Sequence, residues 1–173
     1  MNALPALEER TVADVMATDL LTVTPDDSIL MAWELMGRAR VDHLPVLTED
    51  AEFMGVIDAQ TIAANWEPTG PERARRPVRS LLRAGVGATA NPADAIPEAA
   101  RTMLESGCDY VAVLIDGRAL VGLLTAHDLI SALAGLPPER TTRPGTSMPS
   151  MYRIEPVLPP ESRHPGHSML PPD

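Results

Sequence analysis

Thr125 and Asp128 stand three residues apart in the run Gly122-Leu-Leu-Thr125-Ala-His127-Asp128, where an apolar segment gives way to a helix-forming one. The spacing puts the threonine at the helix N-cap and the aspartate at the third helical position. A hydroxyl and a carboxylate so placed form a capping-box variant, satisfying amides that the first turn leaves open. The same place suits a ligand. Helix-start amides and the positive end of the helix dipole favour a phosphate, and a hydroxyl there can donate to a phosphate oxygen. A carboxylate one turn along can accept from two ribose hydroxyls. The residues admit both a structural cap and a nucleotide site.

A second junction, Gly55-Val-Ile-Asp58-Ala-Gln-Thr61, carries the same two groups exchanged. Asp58 is the better cap but repels a phosphate, which makes this the weaker candidate. Other chemistry is sparse. Cys108 precedes an apolar segment and reads as a packed core thiol. His43, His127, His164 and His167 are scattered, and His164-Pro-Gly-His167 has no cysteine to join it, so no metal is expected. No Gly-rich phosphate loop, nucleophile elbow or metalloprotease motif is present, and the chain is expected to have no catalytic residues and not to be an enzyme. Arg73, Arg75, Arg76, Arg79 and Arg83 form the one basic cluster. They either approach a ligand phosphate or keep an exposed segment solvated.

The elements that must hold these groups come in duplicate. Shifted by 67 residues, Thr22–Trp66 lies over Thr89–Leu133 without a gap and 11 of 45 positions are identical, among them Pro25/Pro92, Asp27/Asp94, Met36/Met103, Asp42/Asp109 and Gly55/Gly122. Each copy reads alike. A short apolar segment (Val12–Met16; Val78–Leu82) precedes an extended piece ending at Pro25 or Pro92. A helix follows, with Asp27 or Asp94 expected as its N-cap. Ile29, Ala32, Trp33 and Met36 fall on one helical face, as do Ile96, Ala99, Ala100 and Met103; Gly37 and Gly107 mark expected ends. Two strands come next: Leu44–Leu47 and Phe53–Ile57 in the first copy, Tyr110–Ile115 and Ala119–Leu124 in the second. Asp116-Gly117 suits a tight hairpin turn. Helices at about 59–65 and 126–134 close the copies. Neither has strands enough to stand alone, so the two are expected to pack together.

The expected organisation is a lead-in over 1–10, repeat 1 over 11–66, a Pro-containing linker over 67–77, repeat 2 over 78–135 and a tail over 136–173. The tail holds ten prolines and reads as mostly disordered, with a sticky patch at Met151–Leu158. A net charge of −10 works against nucleic acid and anionic membrane partners, and no apolar run is long enough to span a bilayer. With one cysteine and no signal-peptide pattern at Met1–Arg10, a reducing cytoplasm is the expected compartment.

Taken in order, Val12-Ala-Asp-Val-Met16, Leu21-Thr-Val-Thr-Pro25, His43-Leu-Pro-Val46 and Phe53-Met-Gly-Val-Ile57 resemble a CBS domain, the cystathionine-β-synthase repeat. Val78-Arg-Ser-Leu-Leu82, Asp109-Tyr-Val-Ala-Val113 and Leu120-Val-Gly-Leu-Leu124 repeat the pattern, so the resemblance covers about residues 11–134. It implies an α/β fold of two β-α-β-β-α units packed about a pseudo-twofold axis, a CBS pair or Bateman module. It further implies a homodimer, an adenosyl ligand such as AMP, ADP, ATP or S-adenosylmethionine acting as regulator rather than cofactor, and a protein partner that reads the change. By the family's motif, Thr125 contacts phosphate and Asp128 ribose, with His127 between them. The base lies near Thr89, Asp109, Tyr110 and Val111. Thr22, Asp42, His43, Leu44, Asp58 and Thr61 are the weaker first-copy equivalents. The other implied outcome is a ligand-free dimeric interaction or stress protein on the same scaffold. Two departures from the pattern stand out: the exchanged Asp58/Thr61, and Pro45 where the second copy has Ala112.

Overall fold

Two short hairpins carry the fold, each with helices packed on its apolar face. The computed structural model describes residues 6–66 and 75–137. Most of the expected linker, the tail from residue 138 with Met151–Leu158, His164 and His167, and Arg73 lie outside them. The elements are α1 (Ile29–Ala39), β1 (His43–Leu47), β2 (Phe53–Asp58), α2 (Ala59–Ala64), β3 (Thr89–Ala90), α3 (Ile96–Ser106), β4 (Tyr110–Ile115), β5 (Ala119–Thr125) and α4 (Ala126–Leu133). The fold is the expected mixed α/β arrangement of two like units.

In copy 2, β3 runs parallel to β4 and β4 antiparallel to β5. Asp116 and Gly117 both take positive φ (52° and 66°), the twist that a tight hairpin turn needs. Copy 1 keeps the antiparallel pair β1–β2, but the counterpart of β3 is reduced to a single parallel bridge, Val23 to Val46. Pro45 explains the loss. In copy 2 the Ala112 amide donates to the Ala88 carbonyl at 2.9 Å. Pro45 stands at the equivalent position and has no N–H to give.

Each copy is completed by the short apolar segment that leads into the other, Val12–Met16 or Val78–Leu82, its lead-in. Val12 and Val15 are buried in the copy 2 core with Val111, Val113 and Leu124, while Val78 and Leu81 are buried in the copy 1 core with Leu44, Val46 and Ile57. The Ala17 amide donates to the Leu123 carbonyl (2.8 Å) and the Leu123 amide to the Ala17 carbonyl (3.0 Å), adding an edge to β5. Gly122 permits this approach: a Cβ there would lie 2.4 Å from Met16 Sδ and 3.1 Å from the Ala17 carbonyl oxygen. Gly55 faces Leu82 in the same way, its would-be Cβ 3.1 Å from Leu82 Cδ2. A third cluster joins the copies, with Phe53 packed among Tyr110, Ala112, Leu114 and Leu123. Burying four lead-in aliphatics is worth roughly 1.5–3 kcal/mol each before ordering costs, enough to bind the copies into one unit.

Three local expectations are corrected. Ser28, not Asp27, caps α1 by accepting from the Met31 amide at 3.1 Å, and Ala95 stands at the cap of α3. Asp27 and Asp94 instead close the preceding turns, accepting from the amides of Thr24 and Asn91 at 2.7 Å. Both positions reward a short side-chain acceptor, so residue type alone does not separate them. Helix α1 runs past Gly37 and ends where Arg40 takes a left-handed φ of 57°, the place that Gly107 (65°) occupies after α3. Trp33 is 42% exposed and meets Trp66 at 6.1 Å, because the buried stripe of α1 is only Ile29, Ala32 and Met36.

Candidate functional site

The two strand-to-helix junctions are built as the sequence suggests, from a threonine and an aspartate three residues apart. At the start of α4 the Thr125 hydroxyl donates to Asp128 Oδ2 (2.7 Å) and accepts from the Asp128 amide (3.2 Å), while the Thr125 amide donates to the same carboxylate oxygen (2.8 Å). At the start of α2, Asp58 Oδ1 accepts from the Thr61 amide (2.6 Å) and Oδ2 from the Thr61 hydroxyl (2.9 Å). Both hydroxyl protons point at a carboxylate. Thr125 therefore offers a ligand a lone pair but not its proton, unless the cap rearranges.

The copies meet at the first residues of β1 and β4. His43 Nε2 lies 2.9 Å from Asp109 Oδ1, and the His43 and Tyr110 rings meet edge to face with centroids 5.1 Å apart. Beside this contact opens a cleft of about 790 Å³ whose walls come from both copies. Copy 1 supplies Asp58 and Thr61. Copy 2 supplies Thr89, Asp109 and Tyr110, together with Arg83, the Gly85–Ala88 loop and, from the α3 side, Glu105. The phenol of Tyr110 is pushed up to about 12, chiefly by burial, with Cys108 and Asp58 adding to the rise and Arg83 opposing it. It is a neutral hydrogen-bonding group at physiological pH. Gly85 and Gly87 take positive φ (87° and 79°), which lets the loop turn over the cleft with a tyrosine hydroxyl 3.9 Å from where a Cβ of Gly87 would lie.

The expected residue sets are thus recombined. Asp58 and Thr61 of the first set share a cleft with Thr89, Asp109 and Tyr110 of the second. Thr22, Asp42, Thr125, His127 and Asp128 do not line this cleft. Leu44 and Val111, expected beside a ligand, are wholly buried and their side chains serve the two cores. Sequence reasoning passed over the Gly85–Ala88 loop and Glu105. The two glycines two residues apart ahead of Thr89 were a legible signal of an unusual backbone; Glu105 left none.

The family model described as CBS domain matches residues 12–65 and again 78–135. The chain belongs to the CBS-domain family. Its two CBS domains form the tandem pair that the sequence pattern implied. It is similar to a homoserine O-acetyltransferase of Methanosalsum zhilinae, 24% identical over 123 residues that make up 71% of this chain and 24% of that protein. The chain spans about a quarter of the length of the curated relatives it matches. Among solved structures it is similar to the CBS domain pair of protein MJ0100 in complex with 5′-methylthioadenosine and S-adenosyl-L-methionine. The TM-score is 0.64 at 21% identity, over 73% of this chain and 97% of that one. It is also similar to CBSX2 in complex with AMP, with a TM-score of 0.63 at 24% identity, over 72% and 96%. Among the described residues no helix is long and apolar enough to cross a membrane.

Proposed function

We propose that this chain is a regulatory CBS pair that binds an adenosyl ligand in the cleft between its domains and transmits the resulting change in packing to a protein partner. The observation that carries the reading is the cleft itself. Its volume of about 790 Å³ falls within the 300–1,000 Å³ usual for small-molecule sites, and its walls belong to two domains that a ligand would hold together. Structural neighbours solved with S-adenosyl-L-methionine, 5′-methylthioadenosine and AMP support an adenosyl compound as the occupant. Asp58, Thr61, Thr89, Asp109 and Tyr110 are the residues assigned to it. Their repeat equivalents Thr125, Asp128, Thr22, Asp42 and His43 form a second candidate position. The module works by binding and not by catalysis, in the cytoplasm and as a homodimer. A ligand moves such an equilibrium only by the difference in its affinity for the two arrangements.

A ligand-free dimeric interaction protein is the second reading. The apolar side chains left on the surface favour it: Trp33 and Trp66 on the copy 1 side, Ile130 and Leu133 on α4. Thermal-shift measurements on the full chain separate the two. Adenosine, AMP, ATP, 5′-methylthioadenosine, S-adenosylmethionine and NAD are compared with cytidine and CMP. A ligand at one hundred times its dissociation constant adds about 2.7 kcal/mol, a shift of several degrees. A shift with adenosyl compounds alone is the expected result. Flat curves for every compound would favour the second reading.

A further inference from the structure

We infer that the cleft takes an adenosyl compound without a phosphate, neutral or positively charged at its 5′ end, in preference to an adenine nucleotide. The inference rests on the adenosyl reading above and narrows it. The charges that line the cleft are one-sided among the described residues. Asp58, Glu105 and Asp109 bring three carboxylates and Arg83 one guanidinium.

The placement of Asp58 matters most. A phosphate at a strand-to-helix junction is held by open amides and hydroxyl donors. Here the Asp58 carboxylate already takes both, the Thr61 amide at 2.6 Å and the Thr61 hydroxyl at 2.9 Å. The acceptor that a phosphate would provide is built into the chain. Neither bond comes from a cation, and together they take up the Thr61 donors that a phosphate would use. A dianionic phosphate brought alongside would meet like charge where the Thr61 donors are already taken, with Arg83 as the one cation against three carboxylates in the cleft lining among the described residues. The carboxylate can still accept from ribose hydroxyls, and a sulfonium or an uncharged thioether at the 5′ carbon meets no repulsion. Asp109 adds less to this negative field than its count suggests, since His43 Nε2 lies 2.9 Å from one of its oxygens.

Isothermal titration of the full chain with 5′-methylthioadenosine, S-adenosylmethionine, AMP and ATP tests this. The expected order is the two phosphate-free compounds first, at least tenfold tighter than AMP, with ATP weakest. In Asp58→Asn, which keeps the cap but drops the charge, any loss of ribose contact is common to both ligands, and AMP should gain about tenfold relative to 5′-methylthioadenosine. The gap between AMP and 5′-methylthioadenosine should also narrow in high salt. AMP binding as tightly as 5′-methylthioadenosine, or an unchanged gap in Asp58→Asn, would overturn the inference and leave the adenosyl reading standing. No binding by any of the four would overturn both.

Discussion

The two CBS domains use one device at their strand-to-helix junctions and differ in its order. In the second domain the hydroxyl of Thr125 caps the helix and the carboxylate of Asp128 sits a turn inside; in the first, the carboxylate of Asp58 caps and the hydroxyl of Thr61 sits inside. Either order closes the helix, so stability alone does not choose between them. What the exchange alters is the charge presented to the space beyond the helix start. The difference teaches that a duplicated scaffold can keep its caps while moving one carboxylate three residues along the chain. A second contrast, Pro45 against Ala112, works the other way. It removes a backbone bond and shortens a strand, yet leaves the shared core intact.

The comparison can be pressed hardest at the cores. Ile57 and Leu124 are repeat equivalents, both essentially unexposed. Replacing either with alanine should cost about 3 kcal/mol. Because each core holds the other copy's lead-in, both variants should unfold in one transition, followed by urea denaturation with fluorescence and circular dichroism. Two separated transitions in either variant would show that the domains stand apart.

At the junction between the domains, Tyr110 titrates at about 12 against an ordinary 10.0. The folded value is the higher, so its contribution is complete below pH 10 and is lost as pH rises from 10 to 12. Across that window the chain should lose about 2–3 kcal/mol more than a Tyr110→Phe variant does. Parallel losses in the two proteins would place the phenol in water.

The glycines that admit the exchanged lead-ins offer a smaller effect. Gly122→Ala should cost about 1–2 kcal/mol by overpacking, and Met16→Ala in the same chain should recover part of it, since Met16 supplies the closest atom. Additive costs in the double-mutant cycle would remove the contact. The smallest effect belongs to the pair that bridges the domains, His43 and Asp109. Asp109 is 68% exposed, so Asp109→Asn should change stability by only about 0.5 kcal/mol. A loss above 2 kcal/mol would mean that the bridge and not the shared cores holds the domains together.

Much of this architecture was legible in the sequence because it is local and repeated. Strand β4 spans the residues that its apolar run marks, and Asp116-Gly117 makes the turn that its types require. The cap residues were misjudged by one position because a turn-closing aspartate and an N-cap serine satisfy neighbouring amides with the same chemistry. The exchange of lead-ins was not legible. Nothing in Val12–Met16 states which of two similar sheets it will join; that is fixed by contacts such as Met16 against Gly122, far apart in the chain. The same non-local closure brings Asp58 beside Tyr110, which is why residues assigned to separate repeats line one cleft. Pro45 was visible as a departure, and its missing donor accounts for the shortened strand.

The central claim is that this shared cleft is a ligand site, and its most direct test is a residue-resolved NMR titration of the full chain with 5′-methylthioadenosine. The account predicts saturable shifts at the amides of Asp58 to Thr61, Gly85 to Thr89, and Asp109 and Tyr110, with Thr125 to Asp128 little moved. Shifts confined to Thr125 to Asp128, or none at saturating ligand, would contradict it.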